Sequence, residues 1–469
     1  MNSLFGRSSP LAVLKKLLGT GLLVLLVGIA VNGSAQATVS VDQQPLTIQK
    51  PLPPNIVLML DDSGSMAWDF MPDAGYLSGK FTAYDENGYR DTFVGADALR
   101  SNSVNGLYYN PGTTYKPPVY ANGTSYPTPS GLASAYANPF LSTASTDTVD
   151  VTTYRSPWLC DYTGYDTTQS GGNYPCPNSL YNAFPYFTAF PSGGASQPSL
   201  SCPYGGAVSS NGFCNSSQYG YYVATVSCSG GKTYRAATGW CESSSTSYIY
   251  LFTYTKPGTT AGSYVRYYVG KSATDCAAAP SSSTCVYDTA TQKNVATWFS
   301  YYRRRILMAK SGVMSAFSGI DATFRVGFGS IDGGDSGNKN YLNLPTSQYQ
   351  YADAYNGGNN YIAQVQAFGD GSAGTQKSSL WTWIAAAKAS GGTPLRQALD
   401  AAGTYYGTDQ PWQSKNASTN ATEELACRQS YTILTTDGFW NGKDLGNGNI
   451  DNTAATLTGA NQQTYTYTP

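Results

Sequence analysis

Asp61-Asp-Ser-Gly-Ser65 sets two carboxylates and two hydroxyls within five residues, directly after the apolar run Ile56-Val-Leu-Met-Leu60. Oxygen donors with no histidine or cysteine among them suit a hard divalent cation. Taken alone the segment reads first as a polar turn, since turns are rich in these residues. Two later stretches change that balance. Ser390-Gly-Gly-Thr-Pro-Leu-Arg396 places Thr393 before a proline that can open a helix, with Leu395, Ala398 and Leu399 at helical spacing. Tyr431-Thr-Ile-Leu434 is a second short apolar strand, and Asp437-Gly follows it. Ile56 to Leu60 shows no polar alternation, as expected of a central parallel strand covered on both faces. In open α/β sheets the ligand site lies beyond the carboxyl ends of such strands, where Asp61, Ser63 and Ser65 would sit.

Together the three stretches resemble the von Willebrand factor A fold and its metal-ion-dependent adhesion site. The resemblance implies an α/β, doubly wound, mostly parallel sheet and a metal set of Asp61, Ser63, Ser65, Thr393 and Asp437. Mg²⁺ is the ion expected first, with Mn²⁺ and Ca²⁺ left open by ligand type. Hydroxyls in the inner shell leave the cation much of its charge, so it can take an acidic oxygen from a partner protein. Asp62 faces the other side of the strand and is given no metal role. Further stretches, Leu107-Tyr-Tyr-Asn-Pro111, Tyr115-Lys-Pro-Pro118, Tyr301 to Lys310, Gly392 to Arg396 and Cys427 to Gly442, are similar to the N-terminal region of the PilC/PilY family. Those proteins are tip-associated adhesins of bacterial type IV pili. The resemblance implies a surface adhesion module supporting pilus biogenesis, attachment and twitching motility. Its partners would be minor pilins and a host-cell or abiotic surface ligand that presents an acidic residue. The rival expectation is an assembly or priming factor that joins minor pilins, with a purely structural metal site.

Residues 1–37 read as an export signal: Arg7, Lys15 and Lys16 precede the apolar run Leu17 to Val31, and Ala35-Gln-Ala37 is a small-x-small cleavage site. That run is shorter than the roughly 20 residues a spanning helix needs, so no stable membrane span is expected after cleavage. The expected destination is the cell surface, at the pilus tip or the outer membrane, by way of the periplasm. Loss of the three basic residues moves a formal net charge of −1 three units further negative. That is too mild for an electrostatic nucleic-acid or membrane binder. The absence of histidine argues against a zinc hydrolase, a Ser-His triad or a switch near neutral pH, and no enzyme is expected. Tyrosine, at 39 residues, suits either recognition surfaces or exported β-structure.

The strand-to-helix connection is where the chain departs from a plain α/β pattern. After Ser65 the next strong helical period is Asn294 to Phe317, so residues 68–293 form a Tyr-, Ser-, Gly- and Cys-rich insertion, β-rich in part and irregular over 119–215. It holds Cys160, Cys176, Cys202, Cys214, Cys228, Cys241, Cys276 and Cys285; neighbour-to-neighbour pairing is the simplest disulfide map, and Cys427 is left over. Hairpins are expected between Tyr221–Ser227 and Lys232–Gly239, and between Ser247–Lys256 and Ser263–Gly270. Leaving the fold beside Ser65, the insertion either flanks the metal site or swings away from it.

The parent domain, residues 55–67 and 294–469 after a linker over 38–54, then resumes. Strands are expected at Thr323–Ile331 and, as its antiparallel neighbour, Tyr361–Phe368, helices at Leu380–Ala389 and Pro394–Tyr406, and a last strand at Ser430–Thr436. A loop is expected at 333–358; Asp332 just before it and Asp335 and Asp353 within it have a spacing that fits no EF-hand, and they are read as solvated. Few residues follow Asp437, so the domain is expected to be incomplete at its C-terminal side.

Overall fold

The computed structural model describes residues 52–71, 83–84, 90–91, 100–140, 147–160, 183–332, 347–352, 358–415, 419–424, 428–442, 445, 454–458 and 464–468, with short gaps at 197, 209–212, 219, 224, 236–239, 260–263, 282 and 439. The expected export signal, most of the linker, Cys176, Cys427, Asp335, Asp353 and the side chain of Cys160 lie outside the described residues. No helix among those described is long and apolar enough to cross a membrane.

The elements used below are, in chain order, β1 (Asn55–Leu60), β2 (Phe187–Gly193), β3 (Ser247–Pro257), β4 (Tyr264–Val269), β5 (Thr284–Val286), α1 (Thr289–Tyr301), α2 (Arg305–Ser318), β6 (Arg325–Ser330), β7 (Gln348–Ala352), β8 (Asn359–Ala367), α3 (Gln376–Ala386), α4 (Leu395–Tyr406) and β9 (Ser430–Leu434). Five of these strands form one sheet in the order β7-β8-β6-β1-β9. β1 runs parallel to β6, from Asn55↔Arg325 to Leu60↔Ser330, and parallel to β9, from Asn55↔Ser430 to Met59↔Leu434. β8 is antiparallel to β6, and β7 is antiparallel to β8. The sheet is therefore mixed, not mostly parallel as expected. The correction comes from β7, which lies in the stretch read as a loop. Its alternating Gln-Tyr-Gln-Tyr pattern adds an antiparallel edge without a crossover helix. In β6, Gly327 lets β8 approach: a Cβ there would lie 2.7 Å from the Ala363 carbonyl oxygen.

β1 is apolar throughout because both faces are covered. Ile56, Leu58 and Leu60 pack with Ile306, Met314 and Phe317 of α2 and with Leu380, Trp383 and Ile384 of α3. Val57 and Met59 pack on the opposite face with Leu395, Ala398, Ala402 and Tyr405 of α4. Burial of this kind contributes about 1.5–3 kcal/mol per large aliphatic or aromatic side chain.

The single helix expected at Asn294–Phe317 is two helices that serve different cores, save that Tyr301 at the end of α1 joins the core of α2. Trp298 and Phe299 of α1 pack with Tyr108, Tyr186 and Phe252 of the insertion, whereas α2 packs on the sheet. The break falls at Tyr302-Arg-Arg304, where Arg304 takes an extended conformation ahead of α2. Each arginine of the run is held separately. Arg303 donates to the Phe299 carbonyl at 2.7 Å, satisfying the last turn of α1 where a cation is favoured. Arg304 donates to the Tyr154 hydroxyl at 2.9 Å. Arg305 turns toward the head of the sheet.

Within the insertion, β5-β4-β3-β2 form a four-stranded sheet. β3 and β4 make the hairpin expected across Pro257-Gly, with Pro257 opposite Tyr264. The other expected hairpin does not form. Thr225–Ser227 pairs with Ser199–Ser201, and Thr233–Arg235 pairs with Trp240–Glu242. Cys228 begins the turn after the first of these strands, and its bond to Cys241 holds the later hairpin beside it. Disulfides also join Cys202 to Cys214 and Cys276 to Cys285. All three pairs follow the neighbour-to-neighbour map. Residues 119–140 carry more order than expected, because aromatic side chains dock them. Trp381 of α3 donates to the Val119 carbonyl at 2.7 Å, and Tyr126 and Phe140 join the α2–α3 core.

Candidate metal centre

At the head of β1 the backbone ladder gives way to side chains. Thr435 donates its amide to the Met59 carbonyl at 3.0 Å, and the next ladder position is filled by its hydroxyl, which accepts the Asp61 amide at 3.1 Å. The chain then turns through a short 3-10 segment, Gly64–Ala67, with Ser63 preceding it. Asp61 Oδ1 accepts the Ser63 amide at 2.9 Å, and Asp61 Oδ2 accepts the Asp437 amide at 3.3 Å. The Ser63 and Ser65 hydroxyl oxygens lie 3.1 Å apart. Asp61 and Ser63 are fully buried.

The Thr393 loop is drawn to the same place by backbone contacts. Gly64 donates to the Gly391 carbonyl at 3.0 Å, and Ser390 donates to the Asp62 carbonyl at 2.8 Å. Thr393 donates its amide to Asn441 Oδ1 at 2.7 Å and accepts the Asn441 amide on its own carbonyl at 3.0 Å. The segments carrying all five expected residues therefore meet at the carboxyl ends of β1 and β9. Asp62 turns to the β6 side, where its carboxylate accepts the Ser330 hydroxyl.

Two residues at this place were not expected from the sequence. Asp332, read as solvated, is buried and accepts the Gly392 amide on Oδ2 at 2.9 Å, which fixes the loop just before Thr393. It sits two residues past the end of β6, after Ile331, whose amide donates to the Leu60 carbonyl, and only the strand register shows that this point adjoins the loop. Arg305 donates from Nη1 to Asp437 Oδ2 at 2.7 Å, with the two side chains 2% and 4% exposed. The clue was the Arg303-Arg-Arg305 run itself, though nothing in it singles out the third member.

The electrostatics call for positive charge. Burial raises the Asp61 carboxyl above its usual range, the nearby Asp437 charge adds to this, and hydrogen bonds from Ser63 and Thr436 oppose it. A buried carboxylate of this kind is relieved by a cation. Among the described residues no three His, Cys, Asp or Glu side chains converge as a metal group. A bound ion would rest on hydroxyl oxygens as much as on carboxylates. Paired serine hydroxyls beside a buried carboxylate fit a hard cation such as Mg²⁺. Such an ion would supply an open coordination position for an acidic oxygen. Ser63 and Ser65 would hold it, Asp61 and Asp437 would orient its water, and Asn441 and Asp332 would keep the Thr393 loop in place.

The start of the insertion lies against this centre. Trp68 and Phe70 stack with ring centroids 5.4 Å apart, and the Arg305 guanidinium lies 4.9 Å from the Trp68 ring. Arg305 also donates its amide to the Trp68 carbonyl at 3.0 Å and Nε to the Phe70 carbonyl at 2.9 Å. At its start, then, the insertion flanks the centre. On the other rim, Arg396 stacks 3.7 Å from the half-exposed Trp440 ring.

No family model and no solved structure matches the chain. Three curated proteins do, each named type IV pilus biogenesis factor PilY1 and each from Pseudomonas aeruginosa. The protein of strain UCBPP-PA14 is 27% identical over 452 residues, covering 93% of this chain and 27% of the relative. That of strain PAO1 is 27% identical over 460 residues, covering 95% and 29%. That of strain PAK is 26% identical over 452 residues, covering 93% and 28%. The chain thus spans less than a third of the length of these relatives. The alignments cover 93–95% of this chain, so its similarity to these type IV pilus biogenesis factors extends over the Asp61 strand and the insertion alike.

Proposed function

We propose that this chain is a binding module of a type IV pilus biogenesis factor, built as a von Willebrand factor A-type domain with an insertion after its first strand. The observation that carries it is the meeting of Asp61, the Ser63–Ser65 hydroxyl pair, the Thr393 loop and Asp437 at the carboxyl ends of β1 and β9. The strand order β8-β6-β1-β9, covered by helices on both faces, supports the same fold. In this reading a divalent cation, Mg²⁺ first, takes a carboxylate from a partner as its last ligand. The partner is a minor pilin or a surface ligand, and the module acts at the cell surface in attachment and twitching. It binds and does not turn over substrate in this reading; the chain has no histidine, Asp61 and Asp332 accept loop amides, and the Asp437 carboxylate is paired with Arg305.

The test is calorimetric titration of Mg²⁺, Mn²⁺ and Ca²⁺ into metal-stripped protein, with Asp61→Ala and Thr393→Ala alongside. One-to-one binding lost in both folded variants is the expected result. Equal heats in wild type and both variants would end the reading. In cells, Asp61→Ala is expected to leave pilus number unchanged and abolish attachment. Loss of the pili themselves would favour the second reading, an assembly factor with a structural metal site. The relatives' shared name as biogenesis factors favours that reading.

A further inference from the structure

Resting on the metal reading above, we propose that Arg305 is a tethered counter-cation of the site. It holds Asp437 where a divalent ion would otherwise act, and so weakens the ion's binding to a tunable level. Arg305 Nη1 lies 2.7 Å from Asp437 Oδ2, and both side chains are almost wholly buried. At such burial the pair is poorly screened by solvent, so the charge on Arg305 opposes a second cation brought beside it.

Arg305 is not free to withdraw. Its amide and Nε are tied to the Trp68 and Phe70 carbonyls, and its guanidinium lies over both rings, at 4.9 and 5.6 Å. It is also the first residue of the 14-residue α2, whose N-terminal end adds positive potential at the same place. An ion binding at Ser63 and Ser65 therefore meets a fixed positive charge that already satisfies one oxygen of Asp437. Arg305 keeps the ion-free site assembled, because Asp437 never lies buried without a counter-charge. By the same contacts, whichever cation holds Asp437 is felt at Trp68 and Phe70, the first residues of the insertion. Arg305 is in this sense a positioning residue, and it links the metal to the insertion through one side chain.

Removing the guanidinium should have two opposite effects. Without it, Asp437 is an uncompensated buried carboxylate, so the ion-free protein is weakened while the ion gains a full partner. In Arg305→Gln the Mg²⁺ dissociation constant is expected to fall by about tenfold or more. The melting temperature in chelator is expected to drop and to be recovered at saturating Mg²⁺. Arg305→Lys keeps the charge but not the planar fork, and should fall between wild type and Arg305→Gln in both measurements. Unchanged or weaker Mg²⁺ binding in folded Arg305→Gln, with wild type binding normally, overturns it and leaves the metal reading standing. Should Arg305→Gln fail to fold even with Mg²⁺, a dissociation constant for Arg305→Lys equal to or above that of wild type overturns it instead. If neither wild type nor Arg305→Gln binds, and both melt identically with and without Mg²⁺, the metal reading itself fails and the proposal with it.

Discussion

Thr393 and Asn441 are joined in both directions, amide to side-chain oxygen at 2.7 Å and amide to carbonyl at 3.0 Å. This pair fastens the loop before α4 to the loop after β9, beside the stacking of Arg396 on Trp440. Asn441 itself is exposed. Replacing it with alanine removes one hydrogen bond and loosens the Thr393 end of the loop, which Asp332 and the backbone contacts still hold. Asn441→Ala is expected to cost no more than about 1 kcal/mol of stability and to weaken Mg²⁺ binding several-fold. A thermal melt and a metal titration on the same sample check the two halves.

The 119–126 segment presses on the turn before α3. Gly371 adopts φ +93°, and a Cβ built there would lie 2.0 Å from the Ala121 carbonyl oxygen. Gly371→Ala is expected to destabilise by about 1–3 kcal/mol, through left-handed strain and displacement of that segment. Faster proteolysis between residues 118 and 140 than in wild type would show that the insertion had been lifted from α3.

Lys310 gives the fold a pH dependence of known sign. Its ammonium is buried in the α2–α3 core, donates to the Ala385 carbonyl at 2.9 Å and lies 5.4 Å from the Phe140 ring. Burial lowers its pKa to about 7; the Asp62 charge opposes this and Lys388 adds to it. Above about pH 7 the folded protein releases a proton that the unfolded chain keeps until near its ordinary lysine value. The unfolded state therefore binds more protons in that window, and stability rises with pH by at most about 1.4 kcal/mol per unit. Denaturant unfolding at pH 7, 8 and 9 should show this rise in wild type and a flatter profile in Lys310→Met. A fall in wild-type stability across the window, with a flat variant, would contradict the assignment.

The three disulfides close short loops in the insertion, with sequence separations of 12, 13 and 9. Each is expected to contribute about 2–3 kcal/mol through the unfolded state. Non-reducing peptide mapping should recover 202–214, 228–241 and 276–285, and mild reduction should lower the melting temperature of wild type but not of a Cys276→Ser/Cys285→Ser protein by the same amount.

The sequence by itself determined the strands that carry the chemistry and the residue types at their ends. Ile56 to Leu60 declares a doubly covered strand because burial on two faces admits no polar position, and the oxygen-rich turn after it is local. Disulfide partners were legible where the loops are short, and the β3–β4 hairpin because Pro257-Gly makes its own turn. The tertiary structure alone decided the rest, since it depends on contacts between distant segments. Asn294 to Phe317 has one helical period, yet its two halves belong to different cores, and the break appears only when Trp298 meets Tyr108 and Met314 meets Leu58. Asp332 looks solvated in sequence and is buried because strand register sets it beside Gly392. Of three consecutive arginines, only one faces Asp437. That selection belongs to the turn between α1 and α2, where the Trp68 carbonyl accepts the Arg305 amide and aims its side chain at the head of the sheet.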